Sequence, residues 1–195
     1  MLFYIHGFTS SRQSRSCKLL NEIPGLRVEP LGYDSAHTCD QCLDELEQQI
    51  AELNPQDPCL FMGSSLGGFF SLLLASRHGG GFAMFNPCLM PETLLMYMLG
   101  ENTYCWTGEK FILTKESVES YAPYAVPLRA KAESLGLPHF IAVSEKDELI
   151  KDNVSCVRAL FPRDSNILIT QTTHDIDNYT PFAPYLIKLK DEIGA

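Results

Sequence analysis

Gly63-Ser64-Ser65-Leu66-Gly67-Gly68 matches the pattern G-x-S-x-G and sits where a short apolar run ends and a longer, almost wholly apolar one begins. A sharp strand-to-helix turn would force the middle residue into a strained backbone conformation, and the positions two before and two after it must then be small. Gly63 and Gly67 meet that need, and Gly68 lets a helix pack close to neighbouring strands. Such a turn lifts the Ser65 hydroxyl clear of the chain as a nucleophile and aims the following amides, at the positive end of a helix dipole, toward an oxyanion. The plainer reading of the same residues is a Ser/Gly loop that caps a helix. A phosphate-binding loop is excluded, because the segment has neither a Gly-Lys-Ser/Thr ending nor G-x-G-x-x-G.

A serine at its free pKa needs a base, usually a histidine that a carboxylate holds in the correct tautomer. Of the five histidines, His174 lies in Thr172-Thr-His-Asp-Ile-Asp-Asn178, between the last expected strand and the last expected helix. Asp147, in Ser144-Glu-Lys-Asp-Glu-Leu-Ile150, follows the preceding strand, with Glu145, Glu148 and Asp152 as substitutes in the same segment. Ser65, Asp147 and His174 thus run in the order Ser…Asp…His, each at the carboxyl end of an expected strand. Taken singly, Asp147 can equally be a helix N-cap and His174 a surface loop residue. His37, His78 and His139 have weaker cases: His78 ends an expected helix, His139 lies in an expected strand, and His37 sits in a loop without a matching partner. His6-Gly7-Phe8 follows the first expected strand, where His6 reads as a structural residue that orders the loop; the Phe8 and Leu66 amides are placed to form an oxyanion hole.

The elements that must position these residues alternate. Expected strands span 2–6, 26–30, 59–63, 81–85, 138–144 and 166–171, each short and mostly without period-2 alternation, as strands buried on both faces are. Leu43, Leu46, Ile50 and Leu53 mark one helix face, Val154, Val157, Leu160 and Phe161 a second, and Phe182, Tyr185, Leu186, Leu189 and Ile193 a third. Residues 66–75 have almost no polar face and predict a buried helix. This array predicts an α/β fold, a mostly parallel sheet of about six strands flanked by helices. From about 87 to 136 the pattern breaks, and the stretch reads as a lid or cap excursion from a single domain spanning 1–195. There Tyr104, Trp106, Tyr121 and the Met-rich stretch 90–99 either line an acyl pocket or simply pack the excursion.

Composition removes other classes of function. At 195 residues, with 45% hydrophobic and 20% charged, the chain reads as an ordinary globular protein. It has no apolar stretch near the roughly 20 residues that cross a bilayer. Residues 1–5 do not read as a signal peptide, so the cytoplasm is the expected address. A net charge of −9 with no basic run argues against nucleic acid. It also does not favour a strongly anionic acyl-CoA, unless Arg12, Arg15 or Lys110 offsets it locally. Asp40, Asp44, Glu45, Glu47 and Glu52 read as a solvated helix face. The seven cysteines are an odd number and predict free thiols in a reducing compartment. Cys39-Asp-Gln-Cys42 fits C-x-x-C, which is either a redox or metal motif or a coincidence of a helix start.

Taken together, Tyr4-Ile-His-Gly-Phe-Thr-Ser-Ser11, Gly63-Ser-Ser-Leu-Gly-Gly-Phe69, Phe85-Asn-Pro87, Leu99-Gly-Glu-Asn102 with Thr107-Gly108, and Glu145-Lys-Asp-Glu148 resemble the YqiA/YcfP-like esterases of the α/β-hydrolase superfamily, YqiA more than YcfP. The resemblance covers nearly the whole chain. It implies a compact α/β-hydrolase fold that begins at the strand carrying the His-Gly-Phe motif. It also implies a Ser–His–Asp triad at Ser65, His174 and Asp147, an oxyanion hole from the Phe8 and Leu66 amides, and esterase or thioesterase activity on acyl substrates; the hydrolase reading itself is metal-independent and calls for no cofactor. Where such relatives often have glycines before the histidine, this chain has Thr172-Thr173, which stiffens the loop. The reading is a serine hydrolase working through an acyl-enzyme. Its rival is an α/β-hydrolase scaffold that binds a ligand or partner without turnover.

Overall fold

The computed structural model describes residues 1–162 and 166–195, and of Glu133 its backbone alone. Its chain order is β1 (Leu2–Ile5), α1 (Arg15–Asn21), β2 (Val28–Leu31), α2 (Cys39–Leu53), β3 (Leu60–Ser64), α3 (Leu66–His78), β4 (Gly81–Phe85), α4 (Pro91–Leu94), β5 (Gly100–Thr103), β6 (Lys110–Leu113), α5 (Lys115–Glu119), α6 (Ala122–Lys131), β7 (His139–Ser144), α7 (Asn153–Leu160), β8 (Ile167–Thr170) and α8 (Ala183–Ile193). Six strands form one parallel sheet in the order β2-β1-β3-β4-β7-β8. All six expected strands are present, with ends shifted by a residue or two.

Successive strand residues feed opposite faces. Phe3, Ile5, Phe61, Met84, Ile141 and Val143 join one core with the inner faces of α2, α3 and α7. Leu2, Tyr4, Leu60, Met62, Ala83, Phe85, Phe140 and Ala142 join the other, under α1 and α8. Both faces are therefore covered, which is why the strands read as nearly continuous apolar runs. Each fully buried large side chain contributes roughly 1.5–3 kcal/mol, and the core is rich in Phe and Leu.

The helices follow their local signals. α2 starts at a capping box, in which Thr38 accepts from the Gln41 amide and the Gln41 side chain returns to the Thr38 amide; it ends at Asn54 in a left-handed conformation. Its buried face is Cys39, Cys42, Leu43, Leu46 and Ile50, while Leu53 is exposed. α3 is buried over Leu66–Ala75, as its sequence requires. In α8, Leu186 and Leu189 are buried and Tyr185 is exposed.

The stretch from 87 to 136 holds α4, an antiparallel hairpin of β5 and β6, then α5 and α6. The hairpin was not expected. Its strand β5, Gly-Glu-Asn-Thr, has no apolar face, so no periodicity marks it. Leu95, Phe111, Leu113, Val118, Tyr121, Ala125 and Leu128 of this segment belong to the core that buries α3.

Two glycines of the elbow are fixed by contact. A Cβ on Gly67 would lie 2.0 Å from the Ile5 carbonyl oxygen and 2.6 Å from that of His6, and one on Gly63 would lie 2.2 Å from the Gly67 carbonyl oxygen. These are backbone atoms of buried strands and helix, so nothing nearby can yield. Gly67→Ala is expected to destabilise the protein by at least about 1–3 kcal/mol, read as a lower urea midpoint; an unchanged midpoint would show that β1 and α3 can separate at no cost.

Candidate active site

Ser65 occupies the turn between β3 and α3 with φ 53° and ψ −123°, a positive φ that costs a non-glycine residue of order 1–3 kcal/mol. The neighbours hold it there. Its N–H donates to the Phe85 carbonyl at 3.0 Å, and its carbonyl accepts from Gly68 N and Cys88 N, each at 2.9 Å. Its side chain makes no capping bond to α3. Just before it, the Ser64 hydroxyl accepts from Tyr4 at 2.9 Å and meets the Tyr179 hydroxyl at 3.0 Å. Burial raises both phenols above their ordinary range, so they remain neutral.

His174 and Asp147 are brought together. The imidazole Nδ1–H donates to the Asp147 carboxylate, 2.9 Å from each oxygen, and both side chains are buried. That bond fixes the tautomer, and among the described residues Nε2 makes no hydrogen bond, to Ser65 Oγ or to any other group. Asp147 Oδ1 also accepts from the amides of Leu149 and Ile150, at 3.0 and 2.8 Å, and Oδ2 from Asn153 Nδ2 at 3.3 Å. Burial pushes the Asp147 carboxyl up, but the bonds from His174, Ile150 and Asn153 outweigh it and hold it below the usual carboxylate range. Of the substitutes, Glu148 accepts from the His174 backbone N–H at 2.9 Å, while Glu145 bonds Gln171. Asp152 caps α7 in a left-handed conformation with no side-chain bond to it.

The loop after β1 flanks the serine, and a Cβ on Gly7 would come within 3.3 Å of Ser65 Cβ. His6 orders this loop. Its Nδ1–H donates to the Gly7 carbonyl at 2.8 Å, its Nε2 accepts from Tyr33 N at 3.3 Å, and the ring stacks on Tyr33 at 4.5 Å. Burial pushes His6 down to about 4, so it is neutral at pH 7. Among the described residues, the Phe8 and Leu66 N–H groups donate to no other group.

Residues 1–191 match the model of an uncharacterised protein family, UPF0227. The chain belongs to UPF0227. This is the YqiA family, to which the motifs pointed. Solved structures with the same fold include an esterase domain of a Rhodothermus marinus protein (TM-score 0.70, 16% identity, covering 100% of this chain and 87% of that one). A Paleococcus ferrophilus monoacylglycerol lipase (0.65, 16%, 96% and 92%) and Est1E of Butyrivibrio proteoclasticus (0.65, 19%, 98% and 85%) also match. Together these establish the α/β-hydrolase fold.

The other residues singled out in this UPF0227 chain divide clearly. Tyr121 is core, 1% exposed. Tyr104 and Trp106 line a cleft of about 400 Å³ with His6, Ser10, Arg12 and Tyr33, on the β2 side of the loop that touches Ser65. Met96, Tyr97 and Met98 are exposed. Arg15 pairs with Asp177 and Lys110 with Glu101, while the Arg12 Nε–H donates to the Pro30 carbonyl. His37 meets Glu45, His78 meets Glu47, and His139 stacks on Phe82. Cys39 and Cys42 lie on the buried face of α2, where burial raises both thiols, Cys42 to about 12. Thiols so protonated are poor nucleophiles and metal ligands.

Asn86 stands out in the sequence only within Phe85-Asn-Pro87, yet its side chain is central. Asn86, at φ 44°, donates from Nδ2 to the carbonyls of Thr173 and His174, at 3.1 and 2.9 Å, and accepts Ser144 N–H on Oδ1 at 2.8 Å. The Asn-Pro dipeptide at a strand end was its only trace in the sequence.

The lowered Asp147 pKa sets a sign. A carboxyl of ordinary pKa about 3.9 when unfolded and lower when folded adds stability above about pH 4, and that stability is lost as pH falls through the folded value. Urea unfolding should find Asp147→Asn less stable than wild type by about 1–3 kcal/mol at pH 7, with the gap narrowing toward about pH 3. A gap constant across that range would mean the carboxylate is not held by these bonds.

Proposed function

We propose that the protein is a serine hydrolase that cleaves carboxylic esters or thioesters of small acyl substrates through an acyl-enzyme. What carries this reading is a positive-φ Ser65 at a strand-to-helix turn on the sheet rim where a buried His174 rests its Nδ1–H on Asp147 at a neighbouring strand end. Ser65 Oγ attacks the acyl carbon while His174 Nε2 takes its proton, and Asp147 orients the ring and stabilises the imidazolium. The tetrahedral oxyanion takes the Phe8 and Leu66 N–H groups, which is supported by their having no other acceptor among the described residues. Collapse expels the alcohol or thiol, which receives the proton from His174. Water, deprotonated by the same Nε2, then attacks the acyl-enzyme and releases the acid and free Ser65.

Membership of UPF0227 over residues 1–191 and fold likeness to esterases and a lipase support the same chemistry. We read the chain as one α/β-hydrolase domain in which 87–136 is the wall or lid beside the site. Seven free cysteines support a reducing compartment such as the cytoplasm. Among the described residues, no helix is long and apolar enough to cross a membrane.

Rapid-mixing hydrolysis of a short-chain p-nitrophenyl ester and its thioester counterpart tests the proposal. Wild type is expected to turn over, with a burst of first product where deacylation is slower than acylation. Folded Ser65→Ala and His174→Ala are each expected to lose about 10⁴-fold or more in kcat/KM. Equal, background-level rates for wild type and Ser65→Ala across the panel would sink the hydrolase reading and leave the non-catalytic scaffold.

A further inference from the structure

We propose that Asn86 is a positioning residue that holds the nucleophile turn and the histidine loop in register, so that His174 Nε2 faces Ser65 Oγ. This rests on the hydrolase reading above. The stretch 85–88 grips both partners. Ser65 N–H donates to the Phe85 carbonyl and Cys88 N–H to the Ser65 carbonyl, so the turn brackets the backbone of the nucleophile. Between those two residues, the Asn86 side chain reaches the opposite way and binds the carbonyls of Thr173 and His174. Its own N–H donates to the Ala142 carbonyl at 2.9 Å, and its Oδ1 takes Ser144 N–H, so the strand carrying Asp147 is tied to the same point. One residue, 1% exposed, thereby links the segments that carry the serine, the acid and the base.

The side-chain type follows from the chemistry. The position needs two donors and one acceptor on a neutral group, beside a main chain at positive φ. Asparagine meets all of this and tolerates left-handed φ better than most residues. An ionised aspartate of the same shape keeps the acceptor for Ser144 N–H but turns lone pairs toward the Thr173 and His174 carbonyls. A serine has a single donor and shorter reach. The remaining bonds of the loop, from Ser144 Oγ to the Thr172 carbonyl and from His174 N–H to Glu148, leave the His174 carbonyl to Asn86.

The test compares wild type, Asn86→Ala, Asn86→Asp and Ser65→Ala, each checked for folding by circular dichroism and thermal unfolding. Ester hydrolysis is read as separate kcat and KM, and proton NMR is used to follow the downfield His174 Nδ1–H resonance. The expected result is a kcat lowered about 10–100-fold in both Asn86 variants, KM within about threefold, and a broadened or shifted Nδ1–H line. A wild-type kcat, or an unaltered Nδ1–H line, in a folded Asn86 variant would overturn the proposal. If neither variant folds, hydrogen exchange of wild type decides, with the Asn86 side-chain amide protons expected to be protected and rapid exchange counting against the proposal. Should wild type hydrolyse nothing that Ser65→Ala does not, the hydrolase reading fails by that arm alone, while the NMR and exchange arms still show whether Asn86 holds His174.

Discussion

The order of strands in the sheet imposes a distance that the rest of the site must overcome. Ser65 leaves β3, whereas His174 leaves β8, and the order β3-β4-β7-β8 puts three strand spacings between them. At about 4.8 Å per neighbour that is roughly 14 Å, far beyond hydrogen-bond reach. The segment after β8 therefore has to double back over β7 toward β4. Such a crossing has no ladder to stabilise it, so side chains must supply the bonds. Asp147, at the end of β7, takes the imidazole, Glu148 takes the His174 N–H, and Asn86, at the end of β4, takes two carbonyls. Each intervening strand end contributes a contact, and His174 is held across the sheet in steps. The threonines before the histidine suit this arrangement. Thr172 is bonded through its carbonyl to Ser144 and through its hydroxyl to Thr170, which makes the loop stiff in a fixed place.

Rigidity on the serine side has a different source. A positive φ at Ser65 persists only because its surroundings over-determine it. The N–H and carbonyl of Ser65 are both bonded, Gly63 and Gly67 touch each other and β1, and the buried phenols of Tyr4 and Tyr179 converge on the Ser64 hydroxyl. Strain at one residue is offset by apolar burial throughout α3, whose first ten residues are all buried. The wholly apolar character of that helix thus anchors the N-terminal turn whose amides lie beside Ser65.

Much of this was legible in the sequence because it rests on local rules. The elbow is a spacing of glycines, the strands are apolar runs bounded by turn residues, and Asp147 and His174 follow from strand-end placement and chain order. What escaped was decided by tertiary contact. Asn86 looks like an ordinary turn asparagine before proline until the loop after β8, 87 residues further on, is folded over it. The hairpin of β5 and β6 was missed because β5 is polar and half-exposed and is a strand only because β6 pairs with it. Tyr104 and Tyr121 had the same two readings in the sequence, and their neighbours separated them, one into a cleft wall and the other into the core.

His6 and His174 show how environment separates two buried histidines of one sheet rim. Both sit on the same rim of the sheet, both are almost wholly buried, and both have Nδ1 facing an oxygen. The oxygen differs. His6 donates to a peptide carbonyl, and its Nε2 accepts from the Tyr33 amide, so both ring nitrogens are committed and burial drives the ring to about 4. A proton added to Nε2 would have to displace the Tyr33 N–H and leave a cation against a neutral stack. His174 donates to a carboxylate held ionised by further N–H donors, so a proton arriving at Nε2 creates a cation beside a ready anion. The first arrangement fixes a loop and the second prepares for charge. On the proposed mechanism a proton reaching His174 Nε2 breaks no hydrogen bond among the described residues, whereas one reaching His6 Nε2 displaces the Tyr33 N–H.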